Sequence, residues 1–301
     1  MNREIIFDVV IFTKQSYADA TTYVQNKFLP IKNRFDLTSD LWIAEIDDAD
    51  KIIVACEPRG YPLEPNNNKG PDFSQLYTFV RENPPVDEWD SDKHLQLCIA
   101  LSRIIHPTSI SLEYAARVIR NGQGGLLKVE PIQSSGLASA VFVVDTTRNW
   151  LTDNDALNLK GLLIANEKYP FREPLATAFW YHEYASHSYE IEVRWTLVCT
   201  GLESLIHTKR NQSTRQFTER IPKLAKEIDL VITKKEAEDM YNCRSTLVHG
   251  QKLNSSPKFP LYKKMENLLR KVIHKAILDP TFGTFFENRE EISKKWPVQN
   301  D

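Results

Sequence analysis

Between residues 190 and 207 the apolar side chains line up as one face of a helix and as neither face of a strand. Ile191, Trp195, Val198, Leu202 and Leu205 follow one another at steps of four, three, four and three, the spacing of a 3.6-residue turn. Leu197 and Ile206 widen the stripe, which predicts a helix at the centre of a bundle with others packed around it. The chain after Asp145 supplies those others. Caps at Thr152, Asp153 and Asp155 predict a helix ending near Glu167, and a second fits residues 172–188, after Pro170. Phe217, Ile221, Leu224, Ile228 and Val231 repeat the same steps, with Pro222 placed to kink or restart that helix. Thr233-Lys234-Lys235-Glu236 is a capping box. It opens a helix carrying Ala237, Tyr241, Arg244 and Val248 on one face, and Gly250 is placed to end it in the left-handed conformation. Leu261, Met265, Leu268, Val272 and Ala276 align on a last long helix that Asp279-Pro280 stops.

The first 145 residues have a different pattern, that of a mixed α/β domain. Residues 5–12 read as a buried strand. Ser16-Tyr17-Ala18-Asp19 resembles a capping box opening a helix toward Phe28. Residues 42–46 and 51–55 read as two strands joined by the acidic turn Asp47-Asp48-Ala49-Asp50, and residues 60–73 as a loop rich in Pro, Asn and Gly. A helix is expected over 93–105, stopping before Pro107, with further strands over 110–118 and 138–144. Gln123-Gly124-Gly125 reads as a turn, since it lacks the spacing of a phosphate-binding loop. The predicted fold class is α+β: a mixed α/β domain over 1–145, then an all-α bundle over 146–301. A length of 301 residues suits two domains.

The formal net charge of −2 conceals an asymmetry. Residues 1–150 hold 15 basic and 20 acidic side chains, a net of −5, whereas 208–275 hold 16 basic and 7 acidic, a net of +9. The whole chain is therefore no simple nucleic-acid coat, but its helical part has a local cationic surplus. Cys56, Cys98, Cys199 and Cys243 lie far apart with no CxxC and no zinc spacing, and read as reduced, mostly buried thiols. No run of about 20 apolar residues predicts a membrane span, and the first residues lack the profile of a signal peptide. Together these point to a cytoplasmic protein without a membrane partner.

The segment richest in chemistry is Tyr241-Asn242-Cys243-Arg244-Ser245-Thr246-Leu247-Val248-His249-Gly250. Five helical steps would set Arg244 and His249 about 140° apart. His249 stands where the backbone leaves the helix, so the two side chains can converge on one spot. A guanidinium there can hold a phosphate while an imidazole takes or returns a proton. A helix-ending histidine can equally do no more than bind the last carbonyls.

That segment resembles the signature helix of the HEPN superfamily, in particular of the Apea-like HEPN domains. Residues 195–206, with the internal Leu202-Glu203-Ser204-Leu205, resemble the family's apolar helix, and residues 217–224 resemble the helix that follows it. The three pieces stand in the family's order over about residues 150–280. The resemblance implies an all-α bundle that forms a homodimer, with the Arg and His of two copies facing one cleft. Many members are metal-independent ribonucleases of toxin, antiviral-defence and RNA-processing systems; others are inactive dimerisation or binding modules. Carried over, Arg244 and His249 are the catalytic positions, with no cofactor and no metal. RNA supplies its own nucleophile in the 2′-hydroxyl, so the implied product is a 2′,3′-cyclic phosphate. Ser245 stands where many active members have Asn, Asp or His. A regulatory ligand or partner at the N-terminal domain is a further reading.

Several other residues are candidates with two readings each. Glu203, on a mostly apolar helix, needs a partner if buried: it orients Arg244, pairs with Arg220 or Arg194, or lies at a solvated edge. Lys209, Arg210, Arg215 and Lys252 contact RNA phosphates around the cleft or belong to ordinary solvated loops. Asn242 contacts substrate or faces water. His182-Glu183-Tyr184-Ala185-Ser186-His187 puts its histidines five apart rather than four, which argues against a zinc-protease site. Phe179, Trp180, Tyr181, Tyr184 and Tyr189 stack on bases or form bundle core and a subunit interface.

Overall fold

The computed structural model describes residues 4–14, 18–19, 22–23, 34–44, 49–56, 72–82, 88–107, 115–132, 152–188, 190–209, 211–249 and 259–298. It is an α+β protein whose chain divides into two compact units, Met1–Ile164 and Ala165–Asp301.

In the first unit β1 (Ile5–Lys14) forms where the apolar run predicts it. β2 (Ala18–Asp19) and β3 (Thr22–Tyr23) pair with each other, and β4 (Phe35–Asp36) and β5 (Leu41–Ala44) follow. After α1 (Ala49–Cys56) come β6 (Asp72–Glu82), α2 (Glu88–Ile105), β7 (Ala115–Arg120) and β8 (Leu126–Pro131). Six strands make one antiparallel sheet in the order β4-β5-β6-β1-β7-β8. Val9, Trp42, Ala116 and Val118 on its strands bury against Ile52 and Cys56 of α1. Asp8 is fully buried and faces Arg117 across β1 and β7, where Arg117 Nε donates to Oδ1 at 2.8 Å and Nη2 to Oδ2 at 3.1 Å. The expected turn at Gly124 is the β7–β8 hairpin, and φ of +85° there suits glycine.

Three expectations in this unit are corrected. Residues 51–55 are helical: Ile52 and Cys56, four apart, turn one face to the sheet while Val54 faces solvent, a pattern no strand gives. The helix expected from Ser16 is replaced, at the described positions, by the β2–β3 ladder of Ala18 with Tyr23 and Asp19 with Thr22, where β-branched and aromatic residues favour extended backbone. β6, an inner strand, arises where no element was expected; Phe73, Tyr77, Thr78, Phe79 and Val80 carry its strand propensity. The strand expected over 138–144 lies outside the described residues, as do Tyr189, Arg210, Gly250 and Lys252.

α3 (Asp153–Lys168) opens where the caps stand, with the Thr152 hydroxyl bonded to Asp155 at 2.9 Å. In the second unit α4 (Leu175–His187), α5 (Ile191–Ile206), α6 (Ser213–Lys226), α7 (Lys234–Val248) and α8 (Phe259–Leu278) form the bundle, and the short α9 (Pro280–Phe285) and α10 (Arg289–Lys295) complete it. α5 is central, packed on α4, α6, α7 and α8, with Trp195, Val198, Leu202 and Leu205 buried. The Trp195 indole donates to the Met240 carbonyl at 2.9 Å and so ties α5 to α7. α6 runs through Pro222 without a break. Its expected stripe stops short: Val231 is 82% exposed, because Asp229 at φ of +55° turns the chain out of the helix. Val248, at the end of the face that carries Ala237, Tyr241 and Arg244, is also exposed.

The capping box forms in full. The Thr233 hydroxyl accepts from the Glu236 amide at 3.1 Å, and Glu236 accepts from the Thr233 amide at 2.9 Å. Thr233→Ala is expected to lower stability by about 1 kcal/mol, read as a lower urea midpoint. An unchanged midpoint would show that Glu236 and Lys264, 2.5 Å apart, hold the helix start without the cap.

Candidate functional site

The capping box fixes where α7 starts, and that sets its phase. Tyr241 and Arg244, three residues apart, then share one face. Opposite them, Glu203 stands in the last turn of α5. Arg244 Nη2 lies 3.1 Å from Glu203 Oε2, and the Tyr241 hydroxyl donates to Glu203 Oε1 at 3.1 Å. The guanidinium carbon of Arg244 is 5.6 Å from the centre of the Tyr241 ring, and Phe217 of α6 backs that ring at 5.1 Å. Glu203 is 10% exposed at its side chain and Arg244 25%, so the pair sits at the rim of the bundle with one side open to solvent. Arg244 Nε is buried and makes no hydrogen bond among the described residues.

The electrostatics follow from this half-burial. Burial raises the Glu203 carboxyl above its ordinary value, against the opposing pull of Arg244 and of the Tyr241 hydroxyl. Burial and the Glu203 charge also raise the Tyr241 phenol, toward which Ser213 turns its hydroxyl from α6. The neighbouring Cys199 thiol is pushed well up by burial and by Glu203.

His249 caps α7, with φ of −83° and its amide bonded to the Ser245 carbonyl at 3.2 Å. Its ring is exposed and has no partner among the described residues. No hydrogen bond or ion pair joins it to Arg244. The structure therefore brings Glu203, Tyr241 and Arg244 together and leaves His249 at the end of the same helix, facing water. Asn242 is exposed, its carbonyl accepting from the Thr246 hydroxyl at 2.9 Å, and Ser245 is half-buried. The Lys209 amide bonds Gln216 Oε1 at 2.6 Å; Arg215 is exposed in the first turn of α6.

The alternative partners for Glu203 are excluded. Arg220 is buried and donates to the carbonyls of Ile206 at 2.9 Å and Trp296 at 3.2 Å, and to Ser293 Oγ at 3.1 Å. Arg194 Nε donates to the Ser188 carbonyl at 2.6 Å. The two α4 histidines face different carboxylates: His182 Nε2 lies 2.9 Å from Glu266 and His187 Nε2 lies 3.1 Å from Glu183. Trp180 and Tyr184 stack on each other at 6.4 Å, with Phe179 packed inside them.

No family model, no curated protein and no solved structure matches the chain.

Tyr241 is the participant that sequence reasoning left without a role. Its place on the Arg244 face was legible, but its bond to a carboxylate 38 residues upstream was not. The four cysteines are free, and Cys243 is the least buried. Burial and the nearby Glu192 push its thiol up to about 11. At pH 8 it is expected to react with a disulfide reagent about a hundredfold more slowly than in urea. A fast native phase that disappears in Cys243→Ser would contradict this.

Proposed function

We propose that the C-terminal unit is a metal-independent endoribonuclease of HEPN type. Arg244 binds the scissile phosphate, and His249 moves the proton between the 2′-hydroxyl and the leaving 5′-oxygen. The observation that carries this reading is Arg244 itself: a guanidinium anchored at one corner by Glu203 and open to solvent, on the helix that ends in an exposed imidazole. A planar guanidinium suits a phosphodiester, and positive charge there stabilises the charge that develops on its oxygens. A second copy of the chain contributes the other acid or base. Asn242 and Ser245 on α7, Lys209 after α5 and Arg215 at the start of α6 supply further contacts to the RNA backbone; Arg210 and Lys252 are assigned the same role. The acidic N-terminal unit is the place for a regulatory ligand or partner, and the family resemblance suggests a role in defence or as a toxin.

The test is incubation of RNA with the wild type, Arg244→Ala and His249→Ala in EDTA, followed by analysis of the product termini. Cleavage to 2′,3′-cyclic phosphate ends by the wild type, lost in both variants, is the expected result. One observation favours a second reading, a non-catalytic binding module: the His249 ring has nothing among the described residues to orient it. RNA bound but left intact by the wild type in EDTA would establish that reading instead.

A further inference from the structure

We propose that Tyr241 is a positioning residue that keeps Arg244 available to a phosphodiester by occupying one oxygen of Glu203; this rests on the reading of Arg244 as the phosphate-binding group. A carboxylate and a guanidinium that meet freely pair as two parallel N–H···O bonds in one plane. Here that fork does not close. The Tyr241 hydroxyl donates to Oε1, Arg244 Nη2 reaches only Oε2, each at 3.1 Å, and Arg244 Nε is left without an acceptor among the described residues. The carboxylate thus fixes one corner of the guanidinium at Nη2 and leaves Nη1 for an incoming anion, while Nε stays buried.

The ring contributes as well. Phe217 holds it from behind, and the guanidinium lies within cation–π distance of its face. Tyr241 therefore determines both the height of Arg244 over the helix and the number of its donors that Glu203 can take. Trp195 fixes the α5–α7 spacing on which both bonds depend, through the Met240 carbonyl one residue before Tyr241. Among the described residues no other charged side chain engages Glu203, although α4, α6 and α8 also pack on α5.

Removing the hydroxyl has a specific consequence. In Tyr241→Phe the ring and its packing remain, but Oε1 is open to Arg244 Nε, and the ion pair closes on both oxygens. Arg244 is then neutralised and turned from the solvent side. Adding Glu203→Gln reverses this, because an amide offers one oxygen only and cannot take the fork.

Three measurements test this. Affinity for a non-cleavable 2′-deoxy-substituted RNA is expected to fall about tenfold in Tyr241→Phe, the worth of one charge-assisted contact, and to recover in Tyr241→Phe/Glu203→Gln. Cleavage by Tyr241→Phe is expected to fall in kcat/KM and to recover in Tyr241→Phe/Glu203→Gln, since the double variant frees the guanidinium again. The ¹⁵N–¹H signal of Arg244 Nε is expected to move downfield and exchange more slowly in Tyr241→Phe, as that group gains an acceptor. Unchanged RNA affinity in Tyr241→Phe, or a double variant weaker than the single one, overturns the proposal. If the wild type neither binds nor cleaves RNA, the endoribonuclease reading fails by itself. The Arg244 Nε signal still decides whether Tyr241 holds the pair open, and an unchanged signal overturns it.

Discussion

Glu266→Ala is expected to lower the stability of the C-terminal unit by about 3–5 kcal/mol, the range for removing one partner of a buried ion pair. Glu266 is buried on α8 and engages two side chains: Oε1 lies 2.9 Å from His182 Nε2 of α4 and 3.3 Å from Arg270 Nε one turn along. Its removal leaves a buried imidazole without its acceptor and a guanidinium without its carboxylate. Tyr262, Arg194 and His274 lie in the same neighbourhood, so the disturbance spreads across α4, α5 and α8. Urea unfolding at pH 7 reads the loss.

A pH signature separates this loss from a simple cavity. Burial pushes the Glu266 carboxyl up, but Arg270 and His182 outweigh it and hold the group below its ordinary value. A carboxylate whose value is lowered by folding stabilises the fold above its unfolded value, near 4.3, and that contribution is lost as the pH falls through the folded value. The stability gap between wild type and Glu266→Gln should therefore be widest near neutrality and narrow below about pH 4. A gap independent of pH would show that the pair is not ionised in the folded protein.

The second large effect is the loss of RNA cleavage in Arg244→Ala and His249→Ala, about 10²–10⁴-fold for removal of a general acid or base and of similar size for the phosphate clamp. The two variants are expected to differ in stability. His249 is exposed and its ring makes no hydrogen bond or ion pair among the described residues, so His249→Ala should unfold like the wild type. Arg244→Ala leaves the half-buried Glu203 with Tyr241 alone, and its midpoint should fall. Unimpaired cleavage in His249→Ala would remove the proton-transfer role, and equal midpoints in both variants would show that the Arg244–Glu203 pair contributes nothing to folding.

How much of this was legible depends on how local the determining interaction is. The starts of α3 and α7 were readable because Thr152 with Asp155, and Thr233 with Glu236, close their bonds within one turn. The run 51–55 was misread because an apolar stretch that short fits either period, and the choice was made by burial of Ile52 and Cys56 on a sheet assembled from distant segments. The stripe through Val231 was misread because periodicity does not register where a chain turns at Asp229. At the candidate site the segment 241–250 was visible as a string, and its relation to Glu203 was one of several open pairings.

The helical phases of the second unit and the shared face of Tyr241 and Arg244 follow from the order of the residues, since both depend on contacts within a few residues. It takes the packed bundle to pair Glu203 with Arg244 and not with Arg220 or Arg194, to turn Arg220 to the carbonyls of Ile206 and Trp296, and to give Tyr241 the second carboxylate oxygen. A buried charge takes whichever partner the packing brings within about 3 Å, and that choice depends on how α5, α6 and α7 cross, which no stretch of sequence encodes alone.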